Sequence, residues 1–342
     1  MDEHPSPSLE GKEGLLKFSG DHWAATGSGP DAPKLAYSEP SKISEESEGV
    51  ILVVGETSQI SLQLRRRADI ESVFVTQRRD SAAPFFLDLQ DTYRVKGQLL
   101  AILDLVPVSS IIISGAMTNV DYCESNESGA YAVNAYSPGL IAEIAKKNSI
   151  HLTYFSSEYV FGNPDGPCDE NVVPDPVSVY GRSKFLGESA VQQACPGSLV
   201  IRTTMVFGED PKRRNFFYRV LDTVGSGSQI DVPTDQISNP TYNRDLAAAV
   251  LHLVASRSSG VIHLVGQERR SRYEFAQQVL EAAGLDQRLL KGVLTADLKQ
   301  LARRPLCAGL TSSRLDLNLY FRPLDTVIGE ALSQARPIIG QI

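Results

Sequence analysis

The sequence predicts an α/β protein with a doubly wound parallel sheet and a smaller C-terminal lobe. Three observations carry that expectation. Seven short apolar runs, at 50–55, 72–76, 85–87, 110–114, 151–155, 199–203 and 261–265, are rich in β-branched residues and read as strands buried on both faces. Most are separated by segments with helical spacing, and strands alternating with helices make βαβ units and hence a parallel sheet. After about Gly208 the alternation becomes irregular, as expected of a second unit that closes over the first.

Ten of the 41 acidic residues but only four of the 33 basic ones fall within residues 1–49. That stretch is rich in Pro, Ser and Gly, and Leu15, Leu16, Phe18 and Trp23 show no sustained strand or helix period, so residues 1–48 read as a disordered acidic extension. The alternative is that the patch around Phe18 and Trp23 docks on the folded body or on a protein partner. At Val50 the character changes abruptly: Val50-Ile51-Leu52-Val53-Val54-Gly55 is a fully apolar strand ending in glycine. Ala130, Val133, Leu140, Ile141, Ile144 and Ala145 share one helical face, with a kink expected at Pro138. Beyond Gly208, helices are expected at 215–224, 244–254 and 272–283, with a loop through 233–240. The division expected is 49–209 for the first unit, with elements near 240–265 returning to it, and 210–342 mainly for the second.

Composition narrows the function. The 342 residues carry a formal net charge of −8 with 42% hydrophobic content, which suits one or two buried cores. No run approaches the roughly 18 apolar residues of a membrane span, and no leader or transit signature is evident, so a cytoplasmic protein is expected. An acidic chain without a long Lys/Arg run is a poor ligand for nucleic acid. Cys123, Cys168, Cys195 and Cys307 are far apart and suggest neither a zinc site nor a disulfide framework, and His151, His252 and His263 lack partners at metal-ligand spacing.

Ligands of such sheets sit beyond the carboxyl ends of the strands, so the residues just after each strand are where chemistry should lie. Gly55-Glu56-Thr57-Ser58-Gln59-Ile60-Ser61 stands where a dinucleotide fold places its phosphate-binding glycines. Only the first glycine is present; Ser58 and Ser61 hold the spacings of the other two. A plain strand-to-helix turn is the competing reading. After the second strand, Arg78 and Arg79 suit a 2′-phosphate, or are solvated surface charges. The sharpest signal is Tyr180-Gly181-Arg182-Ser183-Lys184: a spacing of four puts phenol and ammonium on one helical face, where the positive charge can lower the tyrosine pKa. Ser157, at a strand's carboxyl end, can donate to a substrate carbonyl. Arg213 and Arg214 read as loop charges within possible reach of a substrate phosphate.

The glycine turn, Ser156-Ser157-Glu158-Tyr159-Val160-Phe161, and Tyr180-x-x-x-Lys184 come in the order of the extended short-chain dehydrogenase/reductases. With Thr118-Asn119-Val120-Asp121, Tyr131-Ala132-Val133-Asn134-Ala135, Arg202-Thr203, Val206-Phe207-Gly208, Pro240-Thr241-Tyr242, Arg244-Asp245-Leu246 and Arg304-Pro305, the chain resembles the dTDP-4-dehydrorhamnose reductase family over about residues 50–320. The resemblance implies a Rossmann-type domain binding NADPH, or NADH, and a lobe binding a nucleotide-sugar. It implies that Gly55, Ser58, Gln59 and Ile60 face the pyrophosphate, that Asp88 and Leu89 flank the adenine, and that Ala116, Met117 and Thr118 lie along the nicotinamide. It makes Ser157, Tyr180 and Lys184 the catalytic set, with Ser157, Glu158 and Met205 against the substrate and Asn134 supporting a proton-relay water. Ile113 and Met205 stand where the family has an asparagine and a tryptophan. A homodimer is a further expectation. Two other readings compete: a non-catalytic NADP-binding subunit, similar to the regulatory beta subunit of methionine adenosyltransferase, and a sugar-nucleotide epimerase.

Overall fold

The computed structural model describes residues 49–66, 72–76, 85–162 and 166–339. Arg78, Arg79 and the extension of residues 1–48 lie outside the described residues. In chain order the strands are β1 (Val50–Val54), β2 (Ser72–Thr76), β3 (Phe85–Phe86), β4 (Val108–Ile113), β5 (His151–Ser157), β6 (Leu199–Thr203), β7 (Val206–Phe207), β8 (Ile230–Pro233), β9 (Ile237–Ser238), β10 (Thr241–Tyr242), β11 (Gly260–His263), β12 (Arg270–Ser271) and β13 (Leu290–Val293). The α-helices are α1 (Gln59–Arg65), α2 (Val95–Leu103), α3 (Val120–Ser125), α4 (Glu127–Tyr131), α5 (Ser137–Lys147), α6 (Val179–Ala194), α7 (Phe216–Gly225), α8 (Asn243–Ala255), α9 (Arg272–Ala283) and α10 (Leu324–Ile339).

All seven apolar runs enter one sheet, in the order β11-β6-β5-β4-β1-β2-β3, and every pairing within it is parallel. The reversal of winding between β1 and β4 opens a crevice at their carboxyl ends. Alternate residues of β1 serve two cores. Val50, Leu52 and Val54 pack with Ile111, Tyr154 and the apolar faces of α2, α5 and α6, while Ile51 and Val53 pack with Ile112, Ile201 and the helices α1 and α8. Burial on both faces is why these strands read as unbroken apolar runs.

The long helix expected through Pro138 is built in three pieces. A π-helical turn, Ala132–Tyr136, separates α4 from α5, and Pro138 falls in the first turn of α5, where its missing N–H costs nothing. Helix α2 gave no periodic signal in the sequence. The three later helices fall where expected, and α7 and α9 have readable ends. Asn215 caps α7 by accepting from Tyr218 N, and Ser271 and Glu274 form a capping box on α9, which ends at Gly284. Helices α7, α9 and α10 pack around Phe207, Phe217, Phe275 and Ile328, apart from the two sheet cores. The stretch expected as a loop at 233–240 carries the short strand β9, paired with β12. No helix among the described residues is long and apolar enough to cross a membrane.

Candidate active site

The turn after β1 is built on Gly55, whose φ is +110°. A Cβ there would lie 2.3 Å from the Gly115 backbone nitrogen, so only glycine lets β1 and the end of β4 approach this closely. Ser58 caps α1, its Oγ accepting from Ser61 N at 3.0 Å. Ser61 is fully buried. Its hydroxyl donates to the Gly55 carbonyl at 2.8 Å and meets Ser114 Oγ at 2.8 Å, so Ser61 closes the turn where a third glycine would leave it open, and its hydroxyl is not free for phosphate. The start of α1 keeps the orphan amides of a helix N-terminus, the backbone feature that holds a pyrophosphate.

The side chains implied for the cofactor are placed unevenly. Gln59 Nε2 donates to Val206 O at 3.1 Å and its Oε1 accepts from Asn215 Nδ2 at 3.1 Å, which ties the turn to the start of α7. Ile60 is buried in the core between α1 and α8, and Leu89 is fully buried against α2 and α5. These three are left with only their backbones to offer a cofactor. Asp88 is half-buried beside Leu89, its Oδ1 accepting from Gln90 N.

At the carboxyl ends of β4 and β5 the catalytic candidates converge. Ser157 closes β5, and its hydroxyl hydrogen-bonds the Tyr180 phenol. Ser178 caps α6 by accepting from Gly181 N, fixing the first turn that carries Tyr180. Tyr159 stands edge-on to the Tyr180 ring at 5.3 Å between centroids. Lys184, one turn further, is 2% exposed and puts Nζ 4.1 Å from the centroid of the Tyr154 ring. Met117 packs against the cluster that holds Tyr180. Its backbone is gripped by Asn134, which accepts from Met117 N at 2.9 Å and donates to Met117 O at 3.1 Å. A third bond, from Asn134 Nδ2 to Ser183 Oγ, completes that side chain's donors and ties the Met117 backbone to α6.

The electrostatics differ from the sequence expectation. Burial holds the Tyr180 phenol above its ordinary value, with the Ser157 hydrogen bond opposing, and burial brings the Lys184 ammonium down to about 7. Desolvation, more than the neighbouring ammonium, sets the state of the phenol, and Tyr180 is held protonated.

Glu158, 5% exposed, follows Ser157 in a 3-10 turn. Burial pushes its carboxyl up to about 7, against the Thr204 hydroxyl, Arg272, the Gly309 amide and Arg269. Gly309 N donates to Glu158 Oε2 at 3.3 Å, so this carboxyl also anchors the segment after Arg304. Met205, at φ 39°, occupies the left-handed region directly after Thr204, and its Sδ accepts from Ser238 Oγ at 3.7 Å. Three arginines of the second lobe lie near one another. Arg219 and Arg272 stand over one ring, Phe216, at 5.3 and 5.1 Å, and burial together with Arg272 and Arg304 holds the Arg219 guanidinium below its ordinary value. Arg304 pairs with Asp121 at 2.9 Å, and its buried Nε has no hydrogen-bond partner. Arg219, Arg269 and Arg272 carried no sequence signal, having neither a motif nor an expected strand end beside them. Arg213, singled out in the sequence, is committed elsewhere: its Nε donates to Asp222 Oδ2 at 3.0 Å and its guanidinium lies over Tyr218 at 4.1 Å.

Residues 49–334 match the family described as RmlD substrate binding domain. The chain belongs to that family. Among relatives, it is 33% identical over 234 residues to the probable low-salt glycan biosynthesis reductase Agl14 of Haloferax volcanii, covering 67% of this chain and 77% of that one. It is 30% identical over 243 residues to dTDP-4-dehydrorhamnose reductase of Aggregatibacter actinomycetemcomitans, covering 67% and 82%. The crystal structure of a hypothetical dTDP-4-dehydrorhamnose reductase from Sulfolobus tokodaii superposes with a TM-score of 0.71 at 29% identity, covering 81% of this chain and 98% of that one. The family match spans both the parallel sheet and the helices α7 and α9 that carry the arginines.

Proposed function

We propose that this chain is an NADPH-dependent reductase of the 4-keto group of a nucleotide-activated 6-deoxy sugar, as its dTDP-4-dehydrorhamnose reductase relatives are named. NADH would serve the same chemistry. The observation that carries the reading is the meeting of Ser157 with the Tyr180 phenol at the strand ends, with Lys184 one helical turn beyond Tyr180 on α6. When bound, the cofactor supplies hydride to the carbonyl carbon. Ser157 polarises the carbonyl oxygen, and Tyr180, held protonated by burial, gives that oxygen its proton. Lys184, as an ammonium, lowers the cost of the phenolate left behind. Gly55, the start of α1 and the backbone near Met117 fit a dinucleotide laid along the crevice. Arg219, Arg272 and Arg304 favour an anion at the mouth of the lobe, as a substrate diphosphate requires.

In this reading residues 49–209 hold cofactor and 210–342 mainly hold substrate. The enzyme is cytoplasmic and a homodimer, and residues 1–48 are the segment left for a protein partner. NADPH consumption with a dTDP-4-keto-6-deoxyhexose tests the reading. Consumption should be rapid and should fall at least a thousandfold in Tyr180→Phe, on the scale expected when an acid and its positioned proton are lost. An unchanged rate would sink the mechanism, and absence of NADPH binding would favour a scaffold role.

A further inference from the structure

On α6, Lys184 and Glu188 are four residues apart on one buried face. Glu188 is met from β6 by Arg202, whose Nε and Nη2 donate to its two oxygens at 2.9 and 2.7 Å, with side chains 2% and 5% exposed. The guanidinium is itself fixed. It lies over the Phe161 ring at 5.1 Å, and Nη1 approaches His263 Nε2 at 3.4 Å. His263 Nδ1 sits 2.9 Å from the Thr311 carbonyl, which assigns the proton to Nδ1 and leaves Nε2 as the acceptor for Arg202. The opposite side of Lys184 is equally rigid. The Tyr154 ring beneath its Nζ is held by a bond from the phenol to Asn134 O at 2.6 Å. That bond fits against α6 because Gly187 has no side chain: a Cβ there would lie 2.1 Å from Asn134 O and 2.4 Å from Tyr154 Oη.

We propose that Glu188 is a positioning residue for the reaction: clamped at two points by Arg202, it holds the Lys184 ammonium in place and charged behind Tyr180. The proposal rests on the reductase reading above. Both Glu188 oxygens are occupied by the guanidinium, so the carboxylate acts on Lys184 through its field and does not take its proton. The other titratable groups facing Lys184 are neutral near pH 7. Burial raises the phenols of Tyr154 on β5 and Tyr180 on α6, and it pushes the Cys123 thiol of α3 up to about 11. Behind Arg202, burial lowers His263 on β11. Against burial, which brings Lys184 to about 7, Glu188 is the largest opposing influence.

The test is the pH profile of kcat/KM for the wild type, Glu188→Gln, the double variant Glu188→Gln with Arg202→Met, and Arg202→Lys. Loss of the carboxylate lets Lys184 give up its proton at lower pH. The alkaline limb should then move down by about one pH unit, and turnover near pH 8 should fall roughly tenfold relative to that near pH 6. The double variant removes the buried pair as a unit and avoids leaving one charge unpaired. Arg202→Lys keeps both charges but breaks the two-point clamp, and should shift the limb less, in the same direction. A folded double variant with a wild-type limb overturns the proposal; if that variant does not fold, an unshifted limb in Arg202→Lys overturns it. Failure of the wild type to oxidise NADPH with any keto-sugar nucleotide would instead overturn the reductase reading.

Discussion

Replacing Ser61 by glycine restores the third position of a dinucleotide-binding glycine turn, and the structure predicts that this restoration is harmful. The Ser61 hydroxyl is fully buried and bonds both Gly55 O and Ser114 Oγ at 2.8 Å. Two neutral hydrogen bonds contribute about 1 kcal/mol each, while the Gly55 carbonyl would keep its bond from the Ser58 amide. Glycine in the first turn of α1 adds about 0.5 kcal/mol of backbone entropy. The sum is about 2 to 3 kcal/mol, or a fall in Tm of roughly 5 °C for a protein of this size. Ser61→Ala removes the hydroxyl but keeps the helix former, so its melting temperature should lie between. Thermal melts followed by circular dichroism, with NADPH titration by fluorescence, check both values; cofactor affinity should weaken several-fold in Ser61→Gly. A Ser61→Gly protein that melts at or above the wild type and binds NADPH more tightly refutes the account of Ser61 as a built-in closure.

Other outcomes follow from the same geometry. Gly55→Ala should raise the NADPH Kd at least tenfold, because a Cβ at φ +110° meets Gly115 backbone at 2.3 Å; a wild-type Kd would contradict it. Arg272→Ala should raise KM for the sugar nucleotide roughly tenfold with little change in NADPH affinity, and equal effects on both would place the arginine elsewhere in the reaction. Glu158 gives a pH dependence of stability. Its folded pKa, about 7, lies above the ordinary value of 4.5, so the folded state binds more protons between those limits and stability falls as pH rises through that window. Glu158→Gln should flatten that decline in Tm, and a decline of unchanged slope would assign it to another group.

The sheet was legible because its central strands β1, β4 and β6 are largely buried and therefore mostly apolar. The helices α7 and α9 were legible because Asn215, Ser271 and Gly284 mark their ends. Helix α2 was hidden, since Lys96 and Gly97 interrupt a short segment whose helicity comes from packing on the sheet. The candidate trio was visible as a spacing, but the state of Tyr180 was not, because burial, a property of the fold, is the largest influence on its phenol. Ser61 looked like a defect in the glycine turn, and its partner Ser114 lies 53 residues away. The arginine cluster was invisible for the same reason: Arg219, Arg272 and Arg304 become one feature only when α7, α9 and the segment near 304 are brought together.

Gln59 is a joint between two parts of the fold, since its amide ties the first turn of α1 to Val206 and to Asn215 at the start of α7. A substitution of this side chain therefore loosens the first turn of α1 and the start of α7 together. Redesign of either end in this chain will have to leave Gln59 alone or rebuild both of its contacts together.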